Sequence, residues 1–326
     1  MNLKGKRVLV TGGAGFIGSH LVDRLVEEGC DVVVVDNLKD GEISNLAESM
    51  DKIDFRKVDI RDCEAMQDAM ADVEVVFHLA ANANVPYSVE NPDYDFETNA
   101  LGTYNVLKLS LDAGIEKVIY ASSAAVYGEP AYVPIDENHP LNPISPYGAS
   151  KLAGERLGFA YYSTYGLKFV AIRIFNTYGE RQRRYVMYDF LRKLTQNPRK
   201  LEVLGTGEQI RDFCYVKDCV EAFITAAKDG KAIGEAFNIA GGNPISIKEL
   251  AYLMINVLGL NGKTEVVFTG KSWKGDIVRL YADISKIKRV LGFEPATSLN
   301  EGLLRLWRWF QTVTGKSVNT SVSIKT

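Results

Sequence analysis

An α/β fold, built on a doubly wound parallel sheet with a smaller C-terminal α/β lobe, is what three features of the sequence predict. Apolar runs of strand length at residues 8–11, 32–36 and 73–78 alternate with segments of helical period at 19–28 and 98–112, the rhythm of βαβ units. Strand-like, β-branched runs at 117–122 and 169–174, with the helix-like segment 146–165 between them, continue that rhythm to about residue 178. A glycine cluster stands where the first strand meets the first helix. Beyond residue 178 the texture changes: residues 180–184 are charged, and the elements that follow are short and broken by glycines at 205, 207, 230, 241, 242 and 270. Strands are expected there at 201–204, 213–216 and 236–239, and helices at 217–228, 246–258 and 299–312. The expected division is 1–178 for the sheet, 179–314 for a lobe whose chain can cross back to the sheet, and 315–326 for a polar tail.

Composition narrows the function. The chain has 326 residues, 46% hydrophobic and 24% charged, the mix of a soluble globular protein. A net charge of -3 from 38 basic and 41 acidic residues provides no basic field for nucleic acid or an anionic membrane. No apolar run approaches the ~20 residues that span a bilayer, and the first residues run into a strand with no secretory h-region. Cys30, Cys63, Cys214 and Cys219 lack metal or redox spacing, and His20, His78 and His139 complete no ligand cluster. A reducing cytoplasm and no structural metal are expected.

The glycines at 12, 13, 15 and 18 allow a tight turn and close backbone approach to a pyrophosphate seated on a helix N-terminus. Asp36 ends the second strand, where a carboxylate accepts hydrogen bonds from an adenosine ribose and repels a 2'-phosphate. The expected cofactor is NAD rather than NADP. Tyr147 and Lys151 stand at i and i+4, on one face of a helix. A lysine ammonium and a positive nicotinamide ring both favour phenolate, which suits Tyr147 to act as a base near neutrality. Lys151 is also placed to bond the nicotinamide ribose. The run Tyr120-Ala121-Ser122-Ser123-Ala124-Ala125-Val126-Tyr127-Gly128 ends a strand, where a doubly wound sheet gathers its ligands.

These motifs resemble the extended, nucleotide-sugar-modifying branch of the short-chain dehydrogenase/reductase superfamily, the NAD-dependent epimerase/dehydratase family. Residues 11–18 are similar to its T-G-x-x-G-F-I-G opening, with Gly12, Gly15, Phe16, Ile17 and Gly18 against the cofactor. The resemblance implies that Asp36 with Asn37, and Asp59 with Ile60, meet the adenosine end, and that Leu79, Ala80 and Ala81 wall the middle of the cofactor. Asn99 resembles the branch's buried polar residue, or serves as a helix-packing amide. Ser123, three residues before Val126-Tyr127-Gly128, matches the Ser/Thr that bonds the reacting sugar oxygen; Ser122 reads as an ordinary strand-end hydroxyl. On the substrate side, Asn176 in Phe175-Asn176-Thr177-Tyr178-Gly179 and Gln209 and Arg211 in residues 205–213 resemble the segments that hold the sugar diphosphate, while Asp212 reads as structural. Arg211 suits phosphate because guanidinium offers a fork of donors. Asp276 matches a nucleotide-ribose contact, and Trp273 replaces the family's arginine, a place that Lys274, Arg279 or the Arg181, Arg183 and Arg184 group would have to fill.

The family's 4,6-dehydratases carry Asp-Glu directly after the Ser/Thr, and its decarboxylases keep the second acid. Here those positions are Ala124 and Ala125. The resemblance therefore implies 4-epimerisation of a UDP-hexose by a homodimer paired through residues 98–112 and 146–165. A UDP-glucuronate 4-epimerase, a 4-keto reductase and a catalytically silent NAD-binding regulator stay open as alternatives.

Overall fold

The computed structural model describes residues 1–271 and 277–317; Trp273, Lys274 and Asp276 lie outside the described residues. The chain opens with β1 (Arg7–Thr11), α1 (Phe16–Glu27), β2 (Asp31–Val35), β3 (Ile53–Arg56), α2 (Cys63–Ala69) and β4 (Val75–His78). Two short helices, α3 (Val85–Glu90) and α4 (Pro92–Asp95), lead through a π-helical turn (Phe96–Leu101) into α5 (Gly102–Asp112), β5 (Lys117–Ser123), α6 (Pro146–Tyr165) and β6 (Lys168–Ile174). Among the described residues seven strands form one parallel sheet in the order β3-β2-β1-β4-β5-β6, closed at the far edge by β11 (Ala236–Ile239). The strand order reverses between β1 and β4, and the ligand crevice of such a sheet lies there, at the carboxyl ends of the strands.

Both faces of the sheet are dry over its central strands, which is why these read as apolar runs. Val8, Val10, Val32, Val34, Val75 and Phe77 pack on one face with Leu21 and Val22 of α1. The alternate residues, Leu9, Val33, Val35 and Val76, pack on the other with Met66 of α2 and Val106 and Leu107 of α5. Helix α6 begins and ends where its signals say: Ser145 caps the Gly148 N–H, Pro146 occupies the first turn, and Gly166 closes the helix in the left-handed conformation.

The lobe holds β7 (Asn176–Tyr178), α7 (Tyr185–Gln196), β8 (Lys200–Val203), β9 (Ile210–Arg211) and β10 (Phe213–Tyr215), and, past α8 (Val216–Lys228) and β11, β12 (Ile245–Ser246), α9 (Ile247–Val257), β13 (Glu265–Phe268), β14 (Arg279–Leu280), α10 (Ser285–Leu291) and α11 (Leu299–Thr314). Its strands form small sheets, β7 with β10, β8 with β13, and β12-β9-β14. Leu191, Leu201, Leu250, Met254, Leu306, Trp307 and Phe310 fill its core, so the aromatic residues of α11 serve packing.

Two elements placed in the lobe by sequence belong to the sheet. Strand β11 pairs with β6, and α8 packs beside α1 through Cys219, Val220 and Phe223. The reason is complementarity: β6 would otherwise leave an unpaired edge, and α8 has the apolar stripe that covers the open face. Buried Lys117 fastens α8 by donating to the Ala227 and Asp229 carbonyls. Among the described residues no helix is long and apolar enough to cross a membrane, no side-chain cluster is set to hold a metal, and all four cysteines are free.

Candidate active site

The turn between β1 and α1 is shaped by close backbone approach. Gly12 has φ +71°, and a Cβ there would lie 2.7 Å from the Ala80 nitrogen, while one at Gly18 would lie 2.1 Å from the Gly12 oxygen. Gly15 caps α1 without a side-chain acceptor, leaving the first-turn N–H groups of Phe16, Ile17 and Gly18 directed outward for an anion. Leu79, Ala80 and Ala81 continue from β4 as a half-buried wall, the first two tied by their N–H groups to Thr11.

Asp36 is buried at the end of β2, where it accepts from the Ala14 N–H at 3.0 Å and the Leu38 N–H at 2.8 Å; burial raises its pKa. Beside it Asn37 donates to Asp59 at 2.9 Å, and the Arg61 guanidinium reaches both Asp59 oxygens at 3.0 Å. Burial pushes Asp59 up, but these donors outweigh it and bring the carboxyl down to about 2. The Ile60 side chain is buried in the core against Gly102.

Asn99, read from the sequence as a buried polar residue or a helix-packing amide, is fully buried: its carboxamide accepts from the Asn82 N–H and donates to the Asn82 carbonyl, Asp95 and Ser150. The π-helical turn rotates it inward, and its reach toward α6 runs through Ser150.

Ser123 ends β5 with its Oγ accepting from the Ala125 N–H at 3.2 Å. Ser122, facing the other way, donates to Glu155 at 2.6 Å and is buried. Tyr147 lies on the first turn of α6, half-buried; burial pushes its phenol up to about 12, with a Ser123 hydrogen bond acting in the opposite sense. Lys151, one turn on, is buried with Nζ 4.2 Å from the centre of the Tyr120 ring. Burial brings Lys151 down to about 7 against the pull of Asp95 and Glu155. Burial thus raises the phenol, and the lowering read from the sequence rests on the Lys151 ammonium together with a nicotinamide charge. The desolvation that disfavours phenolate also weakens the ammonium charge meant to offset it.

Sequence reasoning passed over the polar network behind this pair. Glu155 receives a bidentate Arg173, whose third nitrogen donates to Tyr127, and Tyr127 donates to Asn238. An arginine inside the apolar strand β6 was the available signal, since such a charge is buried only when paired.

On the lobe side, Asn176 sits on β7 with its side-chain oxygen buried and without a partner among the described residues. Gln209 and Arg211 lie half-buried at the β9 strand, flanked by β12 and β14. Asp212 accepts from the Gly242 and Asn243 N–H groups, a structural task. Asp276 lies outside the described residues. The arginines expected as a solvated face or a phosphate contact are ion-paired across to the sheet domain: Arg181 with Asp23, Arg183 with Glu42 and Arg184 with Asp40.

A family model described as GDP-mannose 4,6 dehydratase matches residues 9–306. A UDP-glucose 4-epimerase of Mycolicibacterium smegmatis is 37% identical over 314 residues, covering 94% of this chain and 98% of the relative. The crystal structure of a UDP-glucose 4-epimerase with UDP-glucose from Thermotoga maritima superposes with a TM-score of 0.88 at 37% identity, covering 94% of this chain and 99% of that one. A dTDP-glucose 4,6-dehydratase from Streptomyces venezuelae with NAD bound reaches a TM-score of 0.86 at 32% identity, covering 95% and 98%. Similarity of this degree therefore extends to more than one reaction.

Proposed function

Because the chain belongs to the NAD-dependent epimerase/dehydratase (extended short-chain dehydrogenase/reductase) family, we propose that it inverts C4 of a UDP-hexose through a transient 4-keto sugar. The observation that carries this reading is the pair after Ser123: Ala124 and Ala125 stand where the resemblance puts the Asp-Glu pair of the family's dehydratases and the second acid of its decarboxylases. Asp95 and Glu155, the buried acids near the pair, are fully engaged with protein donors and are not offered to a sugar. What remains is chemistry at one carbinol.

The cradle fits NAD. Gly12 and Gly18 let the turn close tightly on the backbone of Ala80 and of Gly12 itself, and the uncapped N-terminus of α1 suits a pyrophosphate. Gly12, Gly15, Phe16, Ile17 and Gly18 would hold the phosphates, Asp36, Asn37, Asp59 and Ile60 the adenosine end, Leu79, Ala80 and Ala81 the middle, and Tyr147 and Lys151 the nicotinamide ribose. Bound there, NAD supplies a hydride acceptor, a hydride donor for the return, and a positive charge near the phenol. Tyr147 takes the 4-hydroxyl proton and later gives it back, and Ser123 hydrogen-bonds the same oxygen. Asn176, Gln209, Arg211 and Asp276 hold the UDP while the sugar turns, so that binding energy is spent away from the reacting carbon. The unpartnered Asn176 oxygen is ready to accept a hydrogen bond. Homodimerisation through α5 and α6 is part of this reading, supported by exposed Leu101, Tyr104, Tyr162 and Tyr165.

The test is incubation with UDP-glucose, UDP-N-acetylglucosamine and UDP-glucuronate without added cofactor, read by proton NMR and by absorbance at 340 nm. A C4-inverted product with no net NADH is expected. Stoichiometric NADH would transfer the assignment to an oxidoreductase, and a 4-keto-6-deoxy product to a dehydratase.

A further inference from the structure

Four non-glycine residues among those described hold a positive φ: Leu38, Asp72, Arg181 and Tyr185, at +59°, +60°, +68° and +71°. Such backbone persists where surrounding contacts over-determine it, and it gathers at ligand clamps. Three of the four lie in two segments that meet in space, the loop after β2 and residues 180–185, which lead from β7 into α7.

The loop after β2 rests on the glycine turn. The Glu42 N–H and the Asn45 amide donate to the Ala14 carbonyl at 3.1 and 2.9 Å, and a Cβ at Gly41 would lie 2.8 Å from both Asp36 carboxylate oxygens. From this loop Lys39 reaches the helices after β4, with Nζ 3.2 Å from the centre of the Tyr94 ring and 5.2 Å from that of Tyr87. Asp40 and Glu42 reach the lobe, where they pair with Arg184 at 2.6 Å and Arg183 at 3.2 Å. The lobe in turn reaches the segment after β4, where the Tyr185 hydroxyl donates to the Ala83 carbonyl at 3.2 Å. Three elements joined pairwise form a closed collar. Its feet stand on Ala14, Asp36 and the wall of residues 79–81, the parts from which the dinucleotide cradle is built.

We propose that this collar retains the dinucleotide, with residues 183–185 as a latch that must open before NAD leaves and Glu180 and Arg181 as its hinge. The proposal rests on the cradle being an NAD site. The hinge end is firmly held: His20 donates to the Glu180 carbonyl at 3.0 Å, Tyr215 donates to the Glu180 carboxylate at 2.8 Å, and Arg181 pairs with Asp23 at 2.7 Å, both side chains largely buried. The latch end is wet, with Arg183, Arg184, Asp40 and Glu42 between 44% and 51% exposed. An exposed ion pair is weak and screened by salt, so the latch opens without disturbing the buried hinge. Retention matters for a reaction in which the hydride must return to the same sugar.

The experiment loads the protein with 14C-labelled NAD, chases with excess unlabelled NAD, and follows the retained label by rapid gel filtration. Arg184→Glu turns attraction to Asp40 into repulsion and is expected to speed release about 3- to 10-fold at low salt. Adding Asp40→Arg restores the pair with its charges exchanged, and release should return toward the wild-type rate. Tyr185→Phe keeps the ring but loses the donor to Ala83, so release should quicken about 2- to 10-fold. Salt should speed release from the wild type and not from Arg184→Glu. Arg192→Ala removes another exposed ion pair, to Asp189 within α7, and should release at the wild-type rate. Release from Arg184→Glu at the wild-type rate, a charge exchange that fails to restore it, or an equal acceleration in Arg192→Ala would overturn the proposal. A wild type that takes up no labelled NAD would defeat the cofactor reading and the collar with it, whereas bound label released at one common rate defeats the collar alone.

Discussion

On the proposed cofactor side of the cleft, one contiguous stretch from β1 through α1 to the end of β2 supplies the glycine turn, the helix N-terminus and Asp36. On the proposed substrate side, Asn176, Gln209 and Arg211 come from and around strands of three and two residues, widely separated along the chain. The first side works with backbone groups whose positions are set by steric exclusion, the second with individual side chains on small sheets. The difference teaches that substitutions on the cofactor side should act as all-or-none events. Those on the substrate side should tune affinity.

The largest effect belongs to neither side but to the group between them. Tyr147→Phe is expected to lower turnover by about 10²- to 10⁴-fold, the usual worth of a general base, while NAD and UDP still bind; undiminished turnover would remove Tyr147 from the chemistry. Gly18→Ala places a Cβ 2.1 Å from a carbonyl oxygen that cannot rotate away. It should lose bound NAD and about 1–3 kcal/mol of stability, seen in the cofactor content of the purified protein and in its melting. An alanine variant that keeps full NAD content would show the turn to be more pliable than its packing implies.

Adjacent residues offer a finer comparison. Ser123→Ala should reduce kcat without changing the melting temperature, whereas Ser122→Ala deprives the buried Glu155 of a donor and should cost about 1–3 kcal/mol of stability, with kcat largely kept. The opposite pattern would exchange their roles. On the lobe, Arg211→Ala is expected to raise KM for the UDP-sugar by about 10- to 100-fold, the worth of a charge-assisted hydrogen bond, with kcat little altered. A fall in kcat at constant KM would place the arginine's effect in the transition state instead. Smallest of all, Arg183→Ala or Arg184→Ala removes an exposed ion pair to the loop after β2. Each should cost less than about 1 kcal/mol, and urea melts in high salt should show no difference from wild type.

How much of this could be read along the chain differs by region. Helix α6 was legible to the residue because a serine cap, a proline and a left-handed glycine bound it. Strand β3 was missed because its sequence, Ile-Asp-Phe-Arg, is half charged; it pairs in parallel with β2 at the sheet edge, where Asp54 bridges Arg56 and Arg7. Helix α7 follows a run of arginines, yet Met187, Phe190, Leu191 and Leu194 stand at helical spacing and would have disclosed it. Asp95 carried no signal at all. Among Asp93, Glu97 and other polar neighbours it reads as solvated, and only the π-helical turn brings it under α6.

What could be determined from sequence was therefore local: the glycine turn and the i,i+4 pair of Tyr147 and Lys151, with Ser123 singled out from Ser122 by its register in a family motif. These depend on backbone geometry over a few residues, which the chain carries with it. Tertiary structure decided the rest. It returned α8 and β11 to the sheet, tied Ser122 to Glu155, and set Asp95, Glu155 and Arg173 against α6. The physical reason is that edge pairing, desolvation and charge compensation depend on which distant segments meet, and a residue's neighbours along the chain do not specify its neighbours in space.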